Sequence, residues 1–393
     1  MTRLDRRNQN SSDVSLLFEK RQMIVRGLIN LPALLAVAMV FLSGCAPAAS
    51  PPPIQIPTAT LIPNSTAVPL PSATITPLPA APREPEPFST RSISQAEIAF
   101  NVDGSGSNVD SIAFWEAADP AQSLMFVTSK GNASIEVYRY PFETQLTTIS
   151  CGSASNGVWV DQESDNLYIT ERNASNVCAY DLPSLAENNS LSFSTAATGD
   201  DSEPNLTMMD LPDGQRRIYV SYDDTVYYHD AETGNPIGAF TPGEGLETMY
   251  GDDYYQAIYI PDEGGRSGIY PYDQDGNPAG PKFGDRSIFE SDAEGIWVYQ
   301  CRSADGSDTG EGWIVVADQV DDLTDFEAFD RRTKAHLGKL NIGGVNNTDG
   351  IAMTQQASPA YPFGLLAVVD DDTSVVGVGW DTIFAKTGLA CAN

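Results

Sequence analysis

Five acidic residues, Glu247, Glu263, Asp292, Glu294 and Asp349, fall at the starts or ends of strand-like runs, at a similar phase of successive segments. The stretch NTDGIAMTQQASPAYPFGLLAVVDDD, Asn347 to Asp372, adds carboxylates at both ends of a single run. Acids brought that close raise one another's pKa unless a cation intervenes. Hard oxygen ligands suit calcium or magnesium, and calcium takes six to eight of them, so several chain segments can share one cluster. The rival reading of each of these acids is a solvated turn residue. The phase they share is what points to a common metal site.

The composition narrows the chemistry. Lys plus Arg total 22 against Asp plus Glu 53, a formal net charge of −31 over 393 residues. Nucleic acid demands a basic footprint that this chain lacks. Any anionic ligand would need metal ions for most of the opposing charge. The two histidines, His229 and His336, are too few for a His-rich zinc site and read as surface residues.

The elements that must position these acids are short strands. From about Ser92 onward, runs such as SLMFVTS, SIEVYRY, NLYITERN, RRIYVSYD, QAIYIPDE, GIWVYQ and GWIVVADQ alternate with Gly, Asp, Asn and Pro clusters, and almost nothing reads as helix. They group into units of 111–150, 156–196, 205–241, 246–286, 293–343 and 349–390. A period near 40 residues with about four strands per unit predicts an all-β, six-bladed β-propeller. In such a fold the acids would converge on one face of the central channel. QAEIAFNV, Gln95 to Val102, could supply a closing strand. Two stacked β-sandwiches are the alternative architecture.

The N-terminus reads as a processing segment. Lys20, Arg21 and Arg26 precede the apolar run Leu28 to Leu42, and LSGC, Leu42 to Cys45, resembles the lipobox of bacterial lipoproteins. A membrane span is the rival reading, for which the run is short. Residues 1–44 are therefore expected to be a signal peptide, Cys45 the lipidated residue, and 45–90 an extended Pro/Thr/Ala-rich tether ahead of a domain over 91–393. The expected location is the cell envelope, outside the cytoplasm. Four cysteines remain, and exported proteins pair them. Three pairings can be drawn; Cys151–Cys178 with Cys301–Cys391 is preferred because the first two lie in adjacent strand segments.

The TDGI, PAYPFGLL and following acid of the 347–372 stretch resemble the late segment of the β-propeller phytases, which hydrolyse phytate with calcium. The resemblance covers roughly residues 96–390. ESDAEGIWVY, Glu290 to Tyr299, is similar to the family's D-x-E-G strand, and LETMYGDDYYQAIYIPDE, Leu246 to Glu263, to its paired-acid segment, with Thr248 in place of the usual Gly. SLMFVTSKGNASIEVYRYP and TERNASNVCAYDL look like the two hairpins that carry cationic residues. The resemblance implies Lys130, Arg172, Glu247, Asp292 and Glu294 as catalytic residues. It implies Asp110, Glu247, Glu263, Asp292, Glu294, Asp349, Gly350 and Asp370 as the metal set for several calcium ions, with Asp370 holding a structural ion or capping a loop. Phytate or another inositol phosphate is then the expected substrate, and the chain an expected monomer.

Departures accompany the resemblance. Ser111 follows Asp110 where the family has a second acid. SNGVWVD, Ser155 to Asp161, lacks the family's Arg, a phosphate-contacting Tyr aligns with Met208, and Asp223 lies near a missing Lys. The rival expectation is a calcium-stabilised propeller that binds a ligand or partner without catalysis. A propeller lactonase would also use a channel metal.

Overall fold

The structure is a computed structural model that describes residues 86–104, 108–131, 133–197, 203–242, 245–263, 268–320 and 323–391. The signal segment, Cys45 and most of the tether lie outside the described residues. Among the described residues, no helix is long and apolar enough to cross a membrane.

Six antiparallel sheets follow one another along the chain and form a six-bladed β-propeller. The first blade shows how sequence sets the layers. Its inner and middle strands, Val109–Trp115 and Leu124–Ser129, are buried throughout, while the outermost, Thr144–Ser150, is almost entirely exposed. The middle strand LMFVTS is packed on both faces by neighbouring blades, so it reads as a continuous apolar run. The outer strand TQLTTIS faces water and reads as polar. Blades two to six have inner strands starting at Ser155, Leu206, Tyr250, Asp292 and Ile351, close to the expected units.

The ring closes through the N-terminal part of the domain. Phe100–Asp103 pairs antiparallel with Ser374–Gly379 as the outer strand of blade six, while Gln95–Glu97 within the expected closing strand is a short 3-10 turn. Arg91–Ile93 adds in parallel to His336–Ile342 of blade five. Contact begins earlier still, since the Phe88 amide donates to Leu337 O at 2.6 Å and its ring packs on the core.

Three features were not read from the sequence or were read otherwise. Trp380–Thr387 is an α-helix, ended by Gly388 in the left-handed conformation, where glycine carries no Cβ penalty. Its Trp380 and Ile383 enter the core shared with Tyr299 and Trp313. His229, expected at the surface, is buried and stacks on Phe193 at 4.4 Å. Arg331 is fully buried, with Nε and Nη2 on Asp252 of blade four at 2.9 and 2.6 Å and Nη1 on Asp308 at 2.7 Å. The disulfides are Cys151–Cys178 and Cys301–Cys391, the preferred pairing.

Candidate metal and anion site

A local irregularity repeated in several blades positions the site. The inner strands of blades one, two and five each break register at the same place, between Val109 and Ile112, Ser155 and Val158, and Ala293 and Ile296. A bulge re-aims side chains that regular pleating would send elsewhere. The residues within these breaks are Asp110–Ser111, Asn156–Gly157 and Glu294–Gly295. Middle strands satisfy the displaced amides. Ser111 N donates to Thr128 Oγ1 at 3.0 Å, Gly157 N to Thr170 Oγ1 at 2.8 Å, and in blade three Asn205 N to Ser221 Oγ at 2.8 Å.

The result is a closed ring of equivalent positions around the channel: Asp110, Asn156, Pro204, Glu247, Glu294 and Asp349. Each touches the next. Asn156 Nδ2 donates to Asp110 Oδ1 at 3.1 Å, Gly157 N to Pro204 O at 2.9 Å, and Thr248 Oγ1 to Glu294 O at 2.8 Å. The Glu203 and Glu247 side chains hydrogen-bond to each other. A Cβ on Gly295 would lie 2.8 Å from Asp349 O, and one on Gly350 only 1.9 Å from Asp110 O. Glycine at these places lets adjacent blades approach at the channel mouth. A cavity of about 30 Å³ lies beneath the ring, lined by the small residues Ser111, Thr248, Gly295 and Gly350 among others.

Cations enter from hairpin turns that follow the same middle strands. Lys130, two residues after Thr128, is 7% exposed and its Nζ lies 2.8 Å from Asp110 Oδ2, 2.6 Å from Glu203 Oε2 and 3.1 Å from Asp349 Oδ2. Arg172, two residues after Thr170, places Nη2 3.1 Å from Glu203 Oε1. Asp223 occupies the corresponding turn of blade three, two residues after Ser221.

Glu247, Glu263 and Glu294 bring carboxylate oxygens within 4.8 Å of one another. Burial pushes all three pKa values up, that of Glu294 to about 8, with neighbouring carboxylates adding to the effect. Burial and the Asp110 and Asp372 charges push Asp349 up to about 6, against the pull of Lys130. Burial also opposes ionisation of Glu203, yet the hydrogen bond with Glu247 and the charges of Lys130 and Arg172 hold it down at about 2. Glu294 is 3% exposed and its Oε2 has no hydrogen-bond partner. A buried carboxylate oxygen without a donor is costly, and a hard cation would satisfy it. The donor set, all oxygen and acidic, fits calcium.

Asp292 starts the same strand as Glu294 and contributes to the field at Glu263. Asp370 stands apart from this group: its Oδ1 accepts from Asn346 N at 3.1 Å and caps that loop. Asp372 is the acid of the same run whose charge acts on Asp349 and Lys130.

Sequence reading missed Glu203, Gln319 and Asp372. Gln319 Nε2 donates to Asp349 Oδ1 at 2.7 Å and fixes that carboxylate. A signal for Glu203 existed, since Glu203-Pro204-Asn205 opens blade three at the phase of the other ring residues. Met208 lies further along and lines the opposite mouth.

Two other places look chemically active but are internally satisfied. Asp318, Asp325 and Glu327 also cluster. Asp318 accepts the amides of Glu290 and Ser291, Asp325 takes Lys339 and Asn341, and Glu327 pairs through Oε2 with His336 at 2.6 Å. Glu327 Oε1 has no hydrogen-bond partner, but the Lys339 ammonium lies 3.7 Å away and supplies opposing charge. The larger cavity, about 260 Å³, is at the opposite channel mouth, where Trp159 stacks on Trp297 at 5.2 Å with Tyr250 edge-on. There Arg216 pairs with Asp161 and Asp210, at 2.5 and 2.9 Å. Of the two mouths, size alone would favour that one; a still larger cavity, about 610 Å³, lies off the channel beside Phe88, Trp313 and Leu389. The unpartnered Glu294 oxygen beside two further glutamates favours the ring.

No protein-family model and no curated protein matches the chain. Among solved structures, Kuenenia stuttgartiensis hydrazine synthase is similar over 69% of this chain and 76% of that chain, at 13% identity and a TM-score of 0.46. A likeness at that level carries nothing about activity.

Proposed function

We propose that this chain is a calcium-dependent phosphomonoesterase that releases phosphate from phytate or related inositol phosphates. One observation carries the reading. A buried lysine and an arginine flank a carboxylate cluster at one channel mouth, giving an anion seat and a cation seat side by side. The resemblance of the 246–299 and 347–372 stretches to the β-propeller phytases supports the same assignment.

Glu247, Glu263, Asp292, Glu294 and Asp349, with Asp110 alongside, would hold calcium, while Gly350 permits the approach of blade six to blade one. Bound there, calcium supplies positive charge beside the phosphoryl group and an acidified water as nucleophile. Lys130 and Arg172 hold the non-bridging oxygens, with Arg offering a planar fork and Lys a point charge. Asp110 and Asp349 keep Lys130 protonated and aimed. In hydrolysis the new bond joins water oxygen to phosphorus, the bond to the inositol oxygen breaks, and that oxygen takes up a proton.

The lipobox-like sequence ending at Cys45 and the Pro-rich stretch after it support a lipid-anchored position outside the cytoplasm. A propeller that binds phosphates without turnover is the second reading, favoured by Asn156 and Asp223 at positions facing the same mouth.

The test is phosphate release from phytate by the full chain, with calcium and with EGTA, beside Lys130→Met and Glu294→Gln. Calcium-dependent release, lost in both variants, supports the enzyme. Calcium that raises the melting temperature without any phosphate release leaves the binding propeller.

A further inference from the structure

Glu203 sits where the proposed reaction needs its substrate. Its two carboxylate oxygens are shared between the two cations of the site, Oε2 at 2.6 Å from Lys130 Nζ and Oε1 at 3.1 Å from Arg172 Nη2. A carboxylate offers a pair of oxygens to cationic donors much as a phosphoryl group does. We propose that Glu203 is an internal occupant of the anion seat, which an incoming ligand displaces, and that it sets how tightly an anion must bind to enter. This inference rests on the phosphate-handling reading of the site and adds a competing internal ligand to it.

The backbone around Glu203 is fixed while its carboxylate is not. Pro204 O accepts from both Gly157 N, at 2.9 Å, and Thr170 Oγ1, at 2.8 Å. Asn205 N is held by Ser221 Oγ at 2.8 Å. The Glu203 side chain is 31% exposed, whereas Lys130 is 7% exposed. Rotation about the side-chain bonds can therefore take the carboxylate into solvent, giving up its hydrogen bond with Glu247 while the backbone links at Pro204 and Asn205 stay in place. Lys130, held by Asp110 and Asp349 as well, stays behind as a formed seat.

Displacement sets a threshold for entry. Moving Glu203 out costs the same whichever anion enters, so it weakens every anion by one common factor. A phosphomonoester dianion gains more from the two cations than a monoanion does and clears that threshold at lower concentration. Glu203 thus keeps weakly held anions out of the seat.

The experiment compares the wild-type chain with Glu203→Gln and Glu203→Ala, all in calcium. Inorganic phosphate and dimethyl phosphate are titrated by calorimetry, and calcium affinity is measured separately without either anion. The amide of Gln keeps shape and removes the charge; Ala removes the occupant altogether. Both variants should bind phosphate about tenfold tighter, the change expected when one charge-assisted hydrogen bond no longer has to be exchanged. Dimethyl phosphate should gain by the same factor as phosphate, since both are relieved of one displacement cost. The titrations are run at calcium saturating for each variant, because Glu203 hydrogen-bonds to Glu247 and its loss reaches the cluster. Weaker or unchanged phosphate binding overturns the proposal. So does a large loss of calcium affinity, which would make Glu203 a metal ligand. A gain confined to one of the two anions overturns displacement, since removing an occupant frees the seat for both. Tighter phosphate binding without phytate turnover would leave the occupant role standing and remove only the catalytic reading.

Discussion

Lys130 Nζ lies 3.1 Å from Asp349 Oδ2 across 219 positions of sequence, joining the first blade to the last. The same ammonium reaches Asp110 at 2.8 Å within its own blade. One buried cation therefore serves both the anion seat and the contact between the first and last blades, beside the strand pairing of Phe100–Asp103 with Ser374–Gly379.

Lys130→Met should be costly when calcium is absent. It leaves Asp110, Asp349 and Glu203 without their shared cation at a largely buried place, and removing one partner of such a group costs about 3–5 kcal/mol. Calcium should recover part of the loss by supplying positive charge to the same carboxylates. Calorimetric unfolding in EGTA and in calcium measures both. An equal melting temperature for variant and wild type in EGTA would mean that the lysine contributes nothing to closure.

Gly350→Ala tests close approach without altering charge. A Cβ there would meet Asp110 O at 1.9 Å, so blades six and one must separate or strain. Overpacking of this kind costs about 1–3 kcal/mol. The variant should unfold earlier and bind calcium more weakly, because Asp349 and Asp110 move with their strands. Unchanged calcium affinity, measured by calorimetry, would show that these two acids are remote from the metal.

The two disulfides should differ in worth. Cys151–Cys178 closes 27 residues within blade two and its border with blade one, while Cys301–Cys391 closes 90 and ties the segment after the C-terminal helix to blade five. Loop-closure entropy gives about 3–4 kcal/mol for the shorter and about 4–5 kcal/mol for the longer. Paired Cys→Ser variants, compared by denaturant unfolding, should rank in that order. The reverse ranking would show that the helix segment holds its place without the covalent tie.

The blades were legible because strand burial follows composition: LMFVTS in the middle of a blade and TQLTTIS at its rim announce their layers. The acids Glu247, Glu263, Glu294 and Asp349 were legible because their phase is set by the blade repeat. Glu203 was only half legible. Its segment opens blade three at the phase of the ring, but it precedes a proline and lies on no strand, and its contact with Lys130 and Arg172 is seen only in the fold. Asp370 and Asp372 differ by two positions at a strand end, and sequence could not say which one acts on the site. The helix Trp380–Thr387 was obscured by a short, mixed WDTIFAKT, whose helicity comes from docking on Tyr299 and Trp313 rather than from a long periodic pattern.

The carboxylate cluster also fixes how stability should depend on pH and calcium. Burial raises Glu294 from 4.5 to about 8 and Asp349 from 3.8 to about 6, and raises Glu247 and Glu263 as well. An acid raised in the folded state keeps a proton that the unfolded chain has released. From about pH 4 to about pH 8 the native protein therefore binds more protons, and its calcium-free stability falls as pH rises through that window. Calcium requires the ionised carboxylates, so its binding expels those protons and its affinity climbs with pH. In EGTA the melting temperature should drop between about pH 5 and pH 8; in saturating calcium the drop should vanish or reverse. Glu294→Gln should flatten the calcium-free slope, since it removes an acid whose folded value lies far above its unfolded one. A calcium-free melting temperature that rises across the window would mean that the cluster is already ionised in the native state, and the cation seat would lose its physical basis.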